Sequence, residues 1–325
     1  MVQLTPRAID LHAHFLPGRY RASALAHGQS RPDGMPALPE WSAAAAVSMM
    51  DDVGIAAAAL SISSPGVAFL GSPAERAALA RAVNEDGAAA VAAYPDRFGL
   101  LASLPLPDVD ASLAEIDYAF GQLHADGIGL HTHYRGVYLG DARLEPVMAA
   151  LDARSALVTI HPVSPCGWED VSFGRPRPVV EFLFDTTRAV VNLALSGVLD
   201  RYPAVRWVVP HAGAALPVLA DRVDRIYPWI SPPGAPDVDL IAALGRLHYD
   251  LAGTPLPRAL PALLGLADAS QLVYGSDYPF TPAARVRQLA QEIASTDVLD
   301  DAEKAAALSG NARRLLPRLA RQAAV

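Results

Sequence analysis

The stretch Ala8-Ile9-Asp10-Leu11-His12-Ala13-His14-Phe15 decides the fold. Its first half, Ala8–Leu11, is a short apolar run of the kind that forms a buried strand. It leads directly into two histidines two residues apart. An open, doubly wound sheet would place a glycine-rich phosphate turn after its first strand. No GxGxxG stands here. Outward from this stretch, seven further runs read as strands: Ala57–Ile62, Phe98–Leu104, Gly127–Leu130, Ala156–Ile160, Val205–Val209, Leu247–Leu251 and Gln271–Tyr274. Helical stretches separate them, among them Ser42–Asp52, Glu75–Ala93, Ala111–His124 and Leu144–Ala153. Strands alternating with helices predict a parallel sheet. Eight such units in 325 residues predict a distorted (β/α)8 TIM barrel in one domain, residues 1–325. Its long βα loops lie on the catalytic face, and Arg19–Glu40, rich in Gly, Pro and Ser with no clear period, reads as the first of them.

Composition narrows the function. The chain carries 26 basic and 34 acidic residues, a net charge of -8, and it has no basic run that would track nucleic acid. No apolar stretch approaches the roughly 18 residues that span a bilayer, and no basic segment followed by an apolar one opens the sequence. The lone Cys166 excludes an internal disulfide and suits a reducing, cytoplasmic setting. Of the 325 residues 62 are Ala, so the 52% hydrophobic share is largely small helix formers. Lys304 is the only lysine.

The histidines carry the chemistry. His12 and His14 close the first strand and, at i and i+2, face one side. His161 ends the fifth strand, His211 the sixth and Asp277 the eighth. Four imidazoles and a carboxylate at strand C-termini form a site for a divalent metal such as Zn2+, with Mn2+ as the other candidate. The position of Lys304, beyond the eighth strand, removes both a carboxylated lysine bridging two metals and a Schiff base. The fourth strand offers no acid in its place, so one metal ion is expected.

These segments resemble the amidohydrolase superfamily. More narrowly, they are similar to its amidohydrolase-2 branch, which contains aminocarboxymuconate-semialdehyde decarboxylase and the salicylate-type decarboxylases. The resemblance rests on Ile9-Asp10-Leu11-His12-Ala13-His14-Phe15, Ile160-His161-Pro162, Pro210-His211-Ala212-Gly213, Gly275-Ser276-Asp277-Tyr278-Pro279-Phe280 and Gly310-Asn311-Ala312-Arg313-Arg314-Leu315. Ser61–Val67, Leu104–Asp110, Tyr138–Asp141 and Phe184–Arg188 look closest to 6-methylsalicylate decarboxylase-like members. The resemblance implies that His12, His14, His161 and Asp277 hold one metal, most often zinc, beside His211 as the acid/base. It also implies a homodimer, because Arg222 stands eleven residues after His211, where the family places an arginine that reaches the partner's site. Trp41 resembles a family tryptophan near the substrate, and Phe184 and Trp41 are aromatics expected at the mouth to stack on a ring. His131 and His133, after the fourth strand, depart from the subgroup's pattern, and His133 is a candidate substrate contact.

Two reactions fit this ligand set. One is non-oxidative decarboxylation of an ortho-hydroxy aromatic acid. The other is hydrolysis of a lactone, ester or amide by a metal-bound water. Both need an open metal position. A binding protein without chemistry would lack one of the five residues, and all five are present.

Overall fold

The computed structural model describes residues 7–320, so the extreme ends of the expected 1–325 domain lie outside it. Eight parallel strands follow one another around a barrel: β1 (Ala8–His14), β2 (Ile55–Ser61), β3 (Phe98–Ser103), β4 (Gly127–His131), β5 (Leu157–His161), β6 (Arg206–Val209), β7 (His248–Asp250) and β8 (Leu272–Val273). β8 returns to β1 through parallel bridges Asp10–Tyr274 and Ala13–Tyr278, with Leu11 N donating to Tyr274 O at 2.9 Å. This is the (β/α)8 barrel expected from the strand count.

The barrel has two apolar compartments. Ile9, Leu11, Ala57, Ala59, Leu101, Leu157, Val208 and Val273 fill its interior, where Ala312, Leu315, Leu316 and Leu319 of the C-terminal helices also pack. A larger core lies between sheet and helices. Glycine closes the barrel where β8 meets β1 and β7. A Cβ on Gly275 would stand 2.7 Å from His12 Cβ and 3.2 Å from those of Asp250 and Ala252.

The helices form where apolar period and caps agree. Ala43–Val53 starts at Ser42, whose side chain accepts from Ala45 N, and ends at Gly54 with a φ of 88°. Pro73–Ala93 has proline in its first turn, and the Ser72 side chain accepts from Glu75 N. Val109–Gly121 is capped by Asp108, and Glu145–Asp152 again begins near a proline.

The long loop expected at Arg19–Glu40 is partly helical. It holds a helix, Gly18–Ala26, and a single helical turn at Pro32–Gly34. The helix buries only Tyr20 and Ala24 and has no side-chain N-cap, so neither period nor cap announces it. Tyr20 OH donates to Gly66 O at 3.0 Å and ties this helix to the loop after β2.

Candidate metal centre

A break in the β1 pattern creates the site. Ile9 and Leu11 point into the barrel, and strict alternation would turn His12 and His14 outward. The pairing of β1 with β2 shifts between Asp10 and Ala13, and Ala13 packs in the outer core. A bulge of this kind reverses the facing of the residues beyond it. Both imidazoles therefore enter the mouth. On β5, Leu157 faces inward and so does His161 four residues later.

His12, His14, His161 and Asp277 each offer one ligand atom, and these atoms lie within 4.8 Å of one another. Asp277 Oδ1 stands 3.2 Å from His14 Nε2 and 3.6 Å from His12 Nε2. Ligands about 2.0–2.1 Å from a tetrahedral zinc are roughly 3.4 Å apart, so the spacing suits a first-row ion. His12 Nε2 and His14 Nε2 are buried without a hydrogen-bond partner. Their other nitrogens are held: His12 Nδ1 by Asp250 Oδ2 at 2.8 Å and His14 Nδ1 by Ser61 Oγ at 3.1 Å. His161 Nδ1 faces Pro162 O at 2.8 Å. Fixing Nδ1 in this way aims Nε2 at a common ion. The residues fit one divalent metal.

Electrostatics support the same reading. Burial alone would lower His12, but Asp250 and Asp277 raise it to about 9, so metal binding must displace a proton from it. Burial would raise Asp277, yet the adjacent imidazoles of His14 and His12 hold it at about 2. Burial pushes His161 well down and, helped by His12, brings His211 to about 4.

His211 sits beside the cluster, its ring centroid 5.0 Å from that of His12. It follows β6 in a strained turn. His211, Ala212, Gly213 and Ala214 all have positive φ, at 57°, 52°, 76° and 55°. Such backbone in non-glycine residues costs energy and persists only when the surroundings enforce it. Asp250 Oδ1 enforces it here by accepting from His211 N at 3.0 Å. At Gly213 a side chain would meet the Tyr249 ring at 3.2 Å. Asp277 is also left-handed, with a φ of 56°, and its N donates to His12 O at 2.7 Å.

His161, His211 and Asp277 open into a cavity of about 230 Å³ whose walls include Phe182, Leu183, Phe280, Pro178 and Met35. That is below the roughly 300–1,000 Å³ of pockets for drug-sized ligands, and suits a single-ring compound.

The substrate-contact residues expected from sequence do not line this cavity, though His133, with His131, lines the space that adjoins it. Trp41 is packed between Phe15 and Phe98, at 5.9 and 6.3 Å between ring centroids, and does not line this cavity. Phe184 is 49% exposed, whereas Phe182 lines the cavity. Both lie in helix Glu181–Leu195, where residues two apart face different ways. His133 uses both ring nitrogens, Nε2 on Ser164 O in the loop after β5 and Nδ1 accepting from Gly136 N in its own loop. Arg222 is exposed on helix Leu216–Ile230, away from this cavity. His131 is buried, and its Nε2 has no partner. Cys166 is exposed and lines neither the cavity nor the ligand cluster.

Sequence reasoning missed Asp250. It is 2% exposed and links His12 to the His211 backbone, with Ala252 N also donating to it at 3.0 Å. An acid inside an apolar strand run, Leu247–Leu251, was the available signal.

Residues 9–318 match the profile of the amidohydrolase family. The chain belongs to that family. Within it, the chain is 33% identical over 315 residues to a 6-methylsalicylic acid decarboxylase of Penicillium expansum, covering 96% of each chain. The crystal structure of an amidohydrolase II superposes with a TM-score of 0.90 at 38% identity, over 95% of this chain and 99% of the other. The 5-carboxyvanillate decarboxylase of Novosphingobium aromaticivorans, solved with manganese and 4-hydroxy-3-methoxy-5-nitrobenzoic acid, superposes at 0.85. It covers 95% of this chain and 96% of its own, and its 22% identity speaks for the fold alone.

Proposed function

We propose that this amidohydrolase, a single barrel domain, is a metal-dependent carboxy-lyase that removes CO2 from an ortho-hydroxy aromatic acid without oxidation. The carrying observation is that three residues of the metal and acid/base set, His161, His211 and Asp277, open onto a cavity of about 230 Å³ walled by Phe182, Phe280 and Leu183. A flat, single-ring acid fills such a space with its polar end on the ligands. The 33% identity to a 6-methylsalicylic acid decarboxylase over nearly the whole chain supports the same reaction.

His12, His14, His161 and Asp277 would hold one divalent ion. When bound, it supplies Lewis-acid stabilisation and orients the carboxylate and its neighbouring oxygen. The chain's residues do the rest. Phe182 and Phe280 hold the ring and exclude water. A proton held at His211 Nδ1 or Nε2 is delivered to the carbon that bears the carboxylate; Asp277, ionised at rest, is the other group that can take up a proton and pass it to that carbon. The carbon–carbon bond then breaks, CO2 leaves, and the bonding electrons return to the ring. Burial keeps His211 a neutral imidazole at neutral pH, able to pass one proton and recover another. Thr281 Oγ1 donates to Asp277 Oδ2 at 3.2 Å and orients that carboxylate. Zinc suits the three imidazoles and one carboxylate, and manganese, found in the carboxyvanillate enzyme, is the alternative.

The protein works as a homodimer in this account. Val218, Arg222 and Trp229 recur at helical spacing on Leu216–Ile230, and Val218 and Trp229 are 77% and 81% exposed. Apolar area of this kind is what an interface covers, and Arg222 within it would reach the partner's site. Among the described residues no helix is long and apolar enough to cross a membrane. The lone, exposed Cys166 fits the cytosol.

Turnover in D2O tests the reaction. The phenol should carry one deuterium at the carbon that lost CO2. A product without deuterium there would overturn the proton-delivery step.

A further inference from the structure

The cavity has a second polar wall, unused by the reaction. Asp33 and Ser64 line it, and both also line an adjoining space of about 340 Å³ that contains Arg177 and Arg135. Asp33 is held there at some cost: its φ is 54°, inside the turn Pro32–Gly34. A relay fixes its side chain. Arg177 Nε donates to Ser164 Oγ at 3.0 Å, and Ser164 Oγ donates to Asp33 Oδ1 at 2.5 Å. The Arg177 guanidinium carbon stands over the Trp168 ring, 3.9 Å from its centroid, which fixes the far end of the relay. Gly34 makes room for it, since a Cβ there would come within 2.7 Å of the Arg177 guanidinium.

The relay uses one carboxylate oxygen. No protein donor reaches Oδ2 among the hydrogen bonds of the described residues, and Asp33 lines the cavity. On the same wall Ser64, 2% exposed, has a hydroxyl with no partner at all. Ser64 is buried and Asp33 half-buried, so a bare hydrocarbon edge leaves the Ser64 hydroxyl unsatisfied and covers the Asp33 carboxylate, whereas a polar hydrogen-bonding group satisfies both. A hydroxyl is best matched, since it donates to a carboxylate and accepts from a serine.

We propose that Asp33 is a specificity-determining residue: it accepts a hydrogen bond from a second hydroxyl on the substrate ring and selects polyhydroxylated aromatic acids over those with hydrogen or methyl there. This rests on the decarboxylase reading above and refines its substrate class. A charge-assisted hydrogen bond made to one substrate and not the other corresponds to roughly tenfold to hundredfold in kcat/KM.

The test compares the metal-loaded dimer on 2-hydroxybenzoate and on the four 2,n-dihydroxybenzoates, for the natural chain and for Asp33→Ala. One dihydroxy isomer should exceed 2-hydroxybenzoate at least tenfold in kcat/KM, and Asp33→Ala should bring that ratio within about threefold. If Asp33→Ala lowers every acid equally, or leaves the preference unchanged, Asp33 only ties down its loop and the proposal fails. The proposal also fails if the natural chain shows no preference among acids that it does turn over. If no acid is decarboxylated at all, the reaction itself has been misassigned. Should Asp33→Ala not fold, the isosteric Asp33→Asn carries the comparison: a neutral acceptor keeps the preference but shrinks it, and an unchanged preference again refutes the proposal.

Discussion

Asp250→Asn tests how far the metal centre depends on a residue that is not a ligand. The carboxylate meets His12 Nδ1 at 2.8 Å through Oδ2 and the His211 and Ala252 amides at 3.0 Å through Oδ1. Asparagine keeps the shape and an acceptor but removes the charge. A charge-assisted hydrogen bond contributes about 1.5–3 kcal/mol and a neutral one about 0.5–1.5, so about 1–1.5 kcal/mol is lost at His12 alone. At 1.36 kcal/mol per factor of ten, that is close to a tenfold loss of metal affinity. Removing the groups that orient metal-bound histidines weakens affinity or activity by about 10–100-fold, which brackets this figure. Asp250→Ala should be worse. It would also strip the His211 and Ala252 amides of their acceptor, at about 1–3 kcal/mol of fold stability for each buried donor. The assay is competition for the metal against a chelator of known affinity, with a thermal melt beside it. If Asp250→Asn binds metal within threefold of the natural chain while His161→Ala empties the site, the contact at His12 orients nothing and the reasoning is wrong.

Two further outcomes follow from the same geometry. His161→Ala should lose metal and activity together, whereas His211→Ala should keep its metal and lose turnover. Metal analysis after dialysis separates them, and a metal-free His211→Ala would make His211 a ligand. At the far end of β7, burial, with Arg314 and Arg206 nearby, pushes His248 down to about 4. The folded state therefore resists protonating it, and the unfolded chain takes up the proton first below about 6.5. Its contribution is fully present above pH 6.5 and is lost as the pH falls toward 4, by at most about 1.4 kcal/mol per unit. His248→Gln should flatten that part of the urea-midpoint profile, and an unchanged slope would show that His248 is not responsible.

The barrel was legible because its signals are local. Each strand run is short, apolar and bounded, and helices such as Ala43–Val53 carry their own caps. The convergence of the four candidate ligands was legible for the same reason: His161 ends β5, Asp277 follows β8, and strand ends converge on one face. What sequence could not supply was rotation and parity. The choice between Phe182 and Phe184 turns on how one helix is rotated about its axis. The inward aim of His12 depends on a bulge that no residue type marks. Trp41 looked like a mouth residue because it resembles a family tryptophan near the substrate, yet its side chain packs in the core against Phe15 and Phe98. Asp33 drew no notice, since a lone acid in a Gly- and Pro-rich loop is usually solvated. Its partner Ser164 is 131 residues away.

The most direct measurement is product analysis with the metal-loaded protein. Salicylate-type acids, lactones and aryl esters are supplied in parallel, and CO2, phenol and hydrolysis products are followed together. The account predicts CO2 and phenol in equal amounts from the acids, abolished by chelator and restored by zinc or manganese. Turnover confined to lactones or esters, with no CO2 from any acid, would contradict it.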